Sequence, residues 1–222
     1  MEFNELIRKR RSIRKYQSTP IPDEDIIRFI EAAVTAPSGC NSQCWHFVAL
    51  KGLDKISALA KVVEESVENF YRKEFESLKE GFIKERKKAL TFFKNAPVVI
   101  VVFLTGLTYY DERVTKLYKD NGYSYRDVMD KLGSPDILSI GAAIENMLLA
   151  IEDMGYGACW MNDPVIAEED IKRFLNVSED YRLMSLIPVG LPAYRPREKD
   201  MKPLSEVLEI LGQDTCFHTN KH

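Results

Sequence analysis

The run Ala96-Pro97-Val98-Val99-Ile100-Val101-Val102-Phe103-Leu104 constrains this chain more than any other stretch. It is continuously apolar and rich in β-branched side chains, which suit a strand. A strand without polar alternation has to be covered on both faces. The run is also far too short to cross a bilayer. A fold built on it needs a central strand with a layer of structure on each side. The second constraint is Asp136 to Met154. There Ile137, Ile140, Ala143, Ile144, Met147, Leu148 and Ile151 form a wide apolar stripe at helical spacing. Gly141, Ala142 and Ala143 allow another element to approach that helix closely. Gly155-Tyr156-Gly157 ends it, because glycine takes the left-handed cap conformation.

The remaining segments fill in an α+β layout of one domain spanning residues 1–222. A short helix over 2–10 presents Phe3, Leu6 and Ile7. A second runs from about Glu24 to Thr35 behind Asp23 as N-cap, with Ile26, Ile27, Ile30, Ala33 and Val34 on one face. Trp45, Phe47 and Val48 suit a half-buried strand. Residues 54–94 read as a charged helical excursion divided at Gly81. Residues 105–135 read as a variable lid or insert, with Tyr109, Tyr110, Tyr118, Tyr123 and Tyr125 among charges and glycines. A short strand is expected over Ala158-Cys159-Trp160-Met161, a helix over 167–175, a strand over 183–190 and a last helix over 203–211. Residues 212–222 read as a flexible polar tail.

Net charge is only −3 in 222 residues, with no basic surplus to favour nucleic acid. The acidic start Met1-Glu2-Phe3-Asn4-Glu5 does not resemble an export signal. The four cysteines show no CxxC spacing, so reduced thiols in a cytoplasmic protein are expected, away from membranes. Cys40, Cys44 and His46 could suggest zinc, but no second ligand pair appears. Gly155-x-Gly157 closes a helix instead of opening one, so it is no dinucleotide fingerprint.

Two polar stretches stand apart. Arg8 to Lys15 holds six cations in eight residues of an acidic chain. It reads either as a solvated charged run or as a phosphate site, in which Arg14 sits beside the Ser12 hydroxyl on one side of an extended segment. Pro37-Ser38-Gly39-Cys40-Asn41-Ser42-Gln43 breaks the preceding helix and concentrates small hydrogen-bonding groups before a strand. It reads either as a connecting loop with local bonds or as a polar ligand contact. Arg195, Arg197, Lys199 and Lys202 form a second cationic patch.

Taken in order, Arg10-Arg11-Ser12-Ile13-Arg14, then Pro37 to Trp45, then Gly155-Tyr156-Gly157-Ala158-Cys159-Trp160 resemble the nitroreductase family of flavin enzymes. The similarity extends to Ala96–Val102 and to Pro188-Val189-Gly190-Leu191-Pro192. It thins over 54–94 and 105–135. The resemblance implies a central, mostly antiparallel sheet flanked by helices in an intertwined homodimer. It implies FMN at the dimer interface and NAD(P)H as electron donor, with no separate nicotinamide domain. By the same resemblance, Arg10, Arg11, Ser12, Arg14 and Lys199 belong to the phosphate end of the FMN site. Cys159, Trp160 and Met161 lie along the flavin ring, with a backbone N–H near its N5. Pro37, Ser38 and Asn41 approach from the other subunit, supported by Gln43. Two positions depart from the family pattern: Cys44 stands where proline is usual, and Met201 where a cation is usual.

No nucleophile–base pair is visible in the sequence, as expected where a cofactor carries the chemistry. The implied activity is ping-pong reduction of nitroaromatic, quinone or similar flat small-molecule acceptors. Reductive dehalogenation, flavin fragmentation and flavin storage are the alternatives on the same fold.

Overall fold

The computed structural model describes residues 2–75, 77–107 and 111–211. Its chain order is α1 (Phe3–Lys9), α2 (Asp23–Val34), β1 (Trp45–Lys51), α3 (Leu53–Glu74), α4 (Glu80–Leu90), β2 (Val98–Leu104), α5 (Glu112–Asp120), α6 (Tyr125–Lys131), α7 (Pro135–Asp153), β3 (Gly157–Ala158), α8 (Glu168–Leu175) and β4 (Arg182–Gly190). The strands form one antiparallel sheet in the order β1-β2-β4-β3. The apolar run thus lies at the centre, with all seven residues of β2 buried.

Alternation along β2 divides the core in two. Val98, Ile100 and Val102 face a cluster that takes Ile26, Phe29 and Ala33 from α2 and Ile140, Ala143, Ile144 and Met147 from α7. Val99, Val101 and Phe103 face a second cluster that takes Ile56, Leu59, Val63 and Val67 from α3 and Ile171 from α8. Burying a valine or isoleucine fully contributes about 1.5–3 kcal/mol, so β2 stabilises both layers, joined by β4 with Leu183 and Leu186 on one side and Ile187 and Val189 on the other.

The structure corrects several sequence expectations. The helical excursion is two helices, α3 ending at Glu74 and α4 beginning at Glu80, and Gly81 lies inside the first turn of α4. A single exposed glycine costs a helix only about 1 kcal/mol and need not end it. The strand expected over 158–161 is regular only at Gly157–Ala158, with an isolated bridge at Met161. The insert holds two helices, α5 and α6. Tyr109 and Tyr110 lie outside the described residues, as does the tail 212–222. The helix expected over 203–211 is reduced to a 3₁₀ turn at Leu204–Glu206, closed by Leu208 N donating to Leu204 O at 2.9 Å, and residues 203–211 are exposed.

Candidate functional site

After α1 the chain becomes an extended strap, Arg10 to Gln17, laid across the β3 edge of the sheet. Ile13 N donates to Ala158 O at 2.8 Å, and Gln17 N donates to Leu191 O at 2.9 Å. Ile13 and Tyr16 point inward and are buried, while Arg14 and Lys15 are exposed. The Tyr16 hydroxyl donates to carbonyls beneath it, Ile13 O and Pro188 O, and burial raises its pKa. Two glycines permit this contact. A Cβ on Gly157 would lie 2.5 Å from Ile13 Cγ1, and one on Gly190 would lie 3.0 Å from Tyr16 Cβ.

The strap sorts the cations by role. Arg10 Nε lies 3.2 Å from Glu145 Oε1 on α7, yet it is buried without a properly directed hydrogen bond. Arg11 is committed to main-chain carbonyls, reaching Arg10 O at 2.8 Å and Arg197 O at 3.2 Å. It therefore pins the C-terminal arm to the strap. Among the described residues Arg14 makes one hydrogen-bond contact, 3.5 Å to Ser12 O, which leaves its guanidinium fork open. Lys199 is exposed on the arm.

Beside the strap, residues 159–161 alternate. Cys159 N donates to Pro188 O at 3.3 Å and Met161 N donates to Leu186 O at 3.1 Å. The intervening Trp160 N–H therefore turns away from β4. Cys159 and Met161 send their side chains into the core, whereas the Trp160 ring is 38% exposed. Burial pushes the Cys159 thiol up, with Arg14 and the Ser12 hydroxyl acting the other way. Of the three residues expected along a flavin, only Trp160 presents its side chain.

The second polar stretch is held differently. Cys40, Asn41 and Gln43 have φ of 54°, 51° and 47°, three left-handed residues that are not glycine within four positions. Such backbone clusters at ligand clamps and needs support from its surroundings. α7 supplies one support, Gly39 N donating to Ser139 Oγ at 3.0 Å, and the loop supplies another itself, Gln43 N donating to Ser38 Oγ at 3.0 Å. Ser42 Oγ is buried without a partner, while Pro37, Asn41 and Gln43 are exposed. Cys44, in place of the expected proline, is buried with Sγ 3.9 Å from Asp136 O.

The strap and the loop do not meet within one chain. Gly39 rests on Ser139, while Trp160 Cη2 lies 3.8 Å from the position of a Cβ on Gly141. Two residues of helix turn through about 200°, so the two segments occupy opposite faces of α7.

Sequence reasoning missed two polar groupings. Asp136, fully buried at the start of α7, accepts from Arg126 Nη1 at 3.0 Å and from the Tyr125 hydroxyl at 3.1 Å. Tyr125 in turn accepts from Leu107 N at 2.8 Å, and burial pushes its pKa up to about 12. This network ties the insert to the base of the loop, beside a cavity of about 540 Å³ that Tyr125, Arg126, Asp180 and Arg182 help to line. The second grouping joins Trp160, Ser185 and Asn162. The only sequence signal for it was one serine in the apolar run Leu183 to Val189. Among the described residues no cluster of His, Cys, Asp or Glu could hold a metal, the zinc reading of Cys40, Cys44 and His46 included.

Comparison with known proteins supplies the context. The family model described as "Nitroreductase family" matches residues 7–191, and the chain belongs to that family. A Clostridium difficile 630 BluB-like flavoprotein structure matches at TM-score 0.81 with 29% identity, covering 96% of this chain and 100% of that one. An iodotyrosine deiodinase from Thermotoga neapolitana is 27% identical, covering 96% of this chain and 97% of the relative. A Bacteroides fragilis nitroreductase with bound FMN, 22% identical over 96% of this chain and 100% of that one, shares the fold at TM-score 0.67. No single helix among the described residues is long and apolar enough to cross a membrane.

Proposed function

We propose that this nitroreductase-family chain is an FMN-dependent oxidoreductase that works as a homodimer and takes its electrons from NAD(P)H. The observation that carries the reading is the strap. It bridges Ser12 to Ala158, two residues before the outward-turned Trp160 N–H and its exposed ring, and so sets the open Arg14 fork and the Ser12 hydroxyl on the neighbouring stretch. A phosphate dianion favours the first pair and a flat heteroaromatic ring the second.

The residues present fit FMN. Arg10 Nε is a buried donor without a directed partner, as a missing acceptor would leave it. Arg10, Ser12 and Arg14 would hold the phosphate and nearby polar groups, with Lys199 supplementing them from the exposed arm. Arg11 acts through main-chain contacts, holding the arm to the strap. The Trp160 N–H would donate to the edge of the ring. When bound, FMN supplies a two-electron carrier between a nicotinamide donor and an acceptor. Cys159 is turned into the core, where burial raises its thiol pKa, so this reading gives it no chemical part. We predict that Cys159→Ala keeps the rate of flavin reduction within about tenfold, equivalent to about 1.4 kcal/mol of barrier. Stopped-flow absorbance checks this, and abolished reduction with FMN still bound would give the thiol a role.

Two features favour a homodimer. Pro37, Ser38, Asn41 and Gln43 lie on the far face of α7 from the strap, so a second copy would have to bring them to the flavin. The arm also leaves Leu204, Val207, Leu208, Ile210 and Leu211 each at least 50% exposed, a row that a second chain would cover.

The acceptor reading is a nitroaromatic, quinone or similar flat compound. Reductive dehalogenation is the second reading, favoured by a deiodinase relative that matches along nearly its whole length. The test is a visible spectrum of the purified protein followed by anaerobic NADH or NADPH and an acceptor panel. A bleached flavin reoxidised by nitro compounds or quinones supports the first reading, and halide release from iodinated phenols the second. A protein that fails to bind FMN sinks both. One that binds FMN yet resists both nicotinamides is a storage protein or uses another donor.

A further inference from the structure

Trp160 is the one side chain of its segment that faces outward, and its position is set by atoms on two other elements. The indole Nε1 donates to Ser185 Oγ at 2.7 Å. Ser185 is 1% exposed and has a single proton to give. Asn162 Oδ1 at 2.7 Å and Met184 O at 2.6 Å compete for that proton. The far edge of the indole lies over Gly141, with Cη2 3.8 Å from where a Cβ would stand, an ordinary van der Waals distance.

How Ser185 comes to face this way follows from strand register. Val102 pairs with Ser185 and Phe103 pairs with Leu183, so Met184 is an extra residue without an opposite number. In a regular strand Leu183 and Ser185 would share a face. Here Leu183 joins the cluster on the α3 side, while Ser185 sits opposite Val102 on the α7 side. A bulge of this kind re-aims a side chain and is enriched beside active sites.

We propose that Ser185 is a positioning residue for the flavin pocket, aimed by the bulge at Met184 to fix the orientation of the Trp160 indole, with Asn162 orienting its hydroxyl. A buried serine in an otherwise apolar strand has little structural purpose unless it is hydrogen-bonded, and its partner is the exposed ring. The consequence for flavin binding rests on the reading above; the consequence for Trp160 does not.

The sequence has two tryptophans, so Trp45→Phe leaves Trp160 as the sole indole reporter. In that background, the apo protein carrying Ser185→Ala should show Trp160 emission at longer wavelength and greater quenching by acrylamide. Asn162→Ala, at an exposed position, should shift both in the same direction by less. With FMN added, Ser185→Ala should weaken binding about fivefold, the size of one modest hydrogen bond. Unchanged apo emission and quenching in a folded Ser185→Ala protein would overturn the proposal. Should Ser185→Ala fail to fold, Asn162→Ala decides: a shifted emission supports the relay and an unshifted one overturns it. If the parent protein binds no FMN, the flavin reading fails, while the apo spectra still decide the role of Ser185.

Discussion

The strap and the loop are the two polar segments of this molecule, and they are stabilised in opposite ways. The strap is backbone-bonded to the sheet, roots two buried side chains and fits only because glycines stand at 157 and 190. The loop has no regular pairing and holds three left-handed residues against the start of α7. The strap behaves as part of the core that exposes its cations. The loop is a strained surface fixture with exposed polar groups. The two segments lie on opposite faces of a single helix, and under the proposed FMN reading only a second copy would bring them to one flavin.

The loop's footing should be a sensitive point in the comparison. Asp136 is fully buried and satisfied by Arg126, Tyr125 and its own helix. Removing Asp136 unpairs the Tyr125 hydroxyl and one side of a half-buried Arg126 that keeps Asp130, a loss of about 1–3 kcal/mol. Asp136→Ala should therefore lower unfolding free energy by about that amount in a urea titration. A loss below about 1 kcal/mol would mean that the network contributes no more than a surface pair.

On the strap side, Arg14→Ala should leave stability nearly unchanged, because among the described residues Arg14 makes only one long hydrogen-bond contact. FMN affinity should fall, by about 1.5–3 kcal/mol if a charge-assisted phosphate contact is lost. Isothermal titration of FMN into apo protein reads this directly. Unchanged affinity would leave the cationic run as a solvated surface.

Gly157→Ala tests the close approach itself. The new methyl would meet the Ile13 side chain, so the strap must lift or Ile13 must move. Overpacking of this kind costs about 1–3 kcal/mol. Stability and FMN affinity should fall together, because the same bridge carries both. A stable variant with normal affinity would show that the strap is not held by this contact.

How much of this was legible from sequence depended on whether a pattern had its partner in the same chain. The run from Val98 to Leu104 and the stripe on α7 report burial within the chain, and both elements fell where expected. Leu204, Leu208 and Leu211 repeat at helical spacing too, but no helix forms there. An isolated short helix is marginal without packing, and this arm has no core of its own to rest on. The cations and the loop polars were legible as clusters, yet which faces of α7 they occupy was not. Ser185 gave no periodic signal because a bulge, invisible in composition, decides where it points.

The smallest expected effect probes the loop's backbone alone. Gln43 is exposed at φ 47°, so its side chain contributes little packing while its Cβ crowds the preceding turn. Replacing it by alanine keeps that crowding, whereas replacing it by glycine removes it. In a left-handed conformation the Cβ costs about 1–2 kcal/mol, and glycine's freer unfolded chain offsets about 0.4–1 kcal/mol of that. Gln43→Gly should therefore be slightly more stable than Gln43→Ala, by about 0.5–1 kcal/mol. At an ordinary extended or helical position the order is reversed, because only the entropic term remains. Matched urea titrations of the two variants give the sign. Alanine proving the more stable would show that residue 43 is not left-handed in solution, and the contrast between a relaxed strap and a strained loop would not hold there.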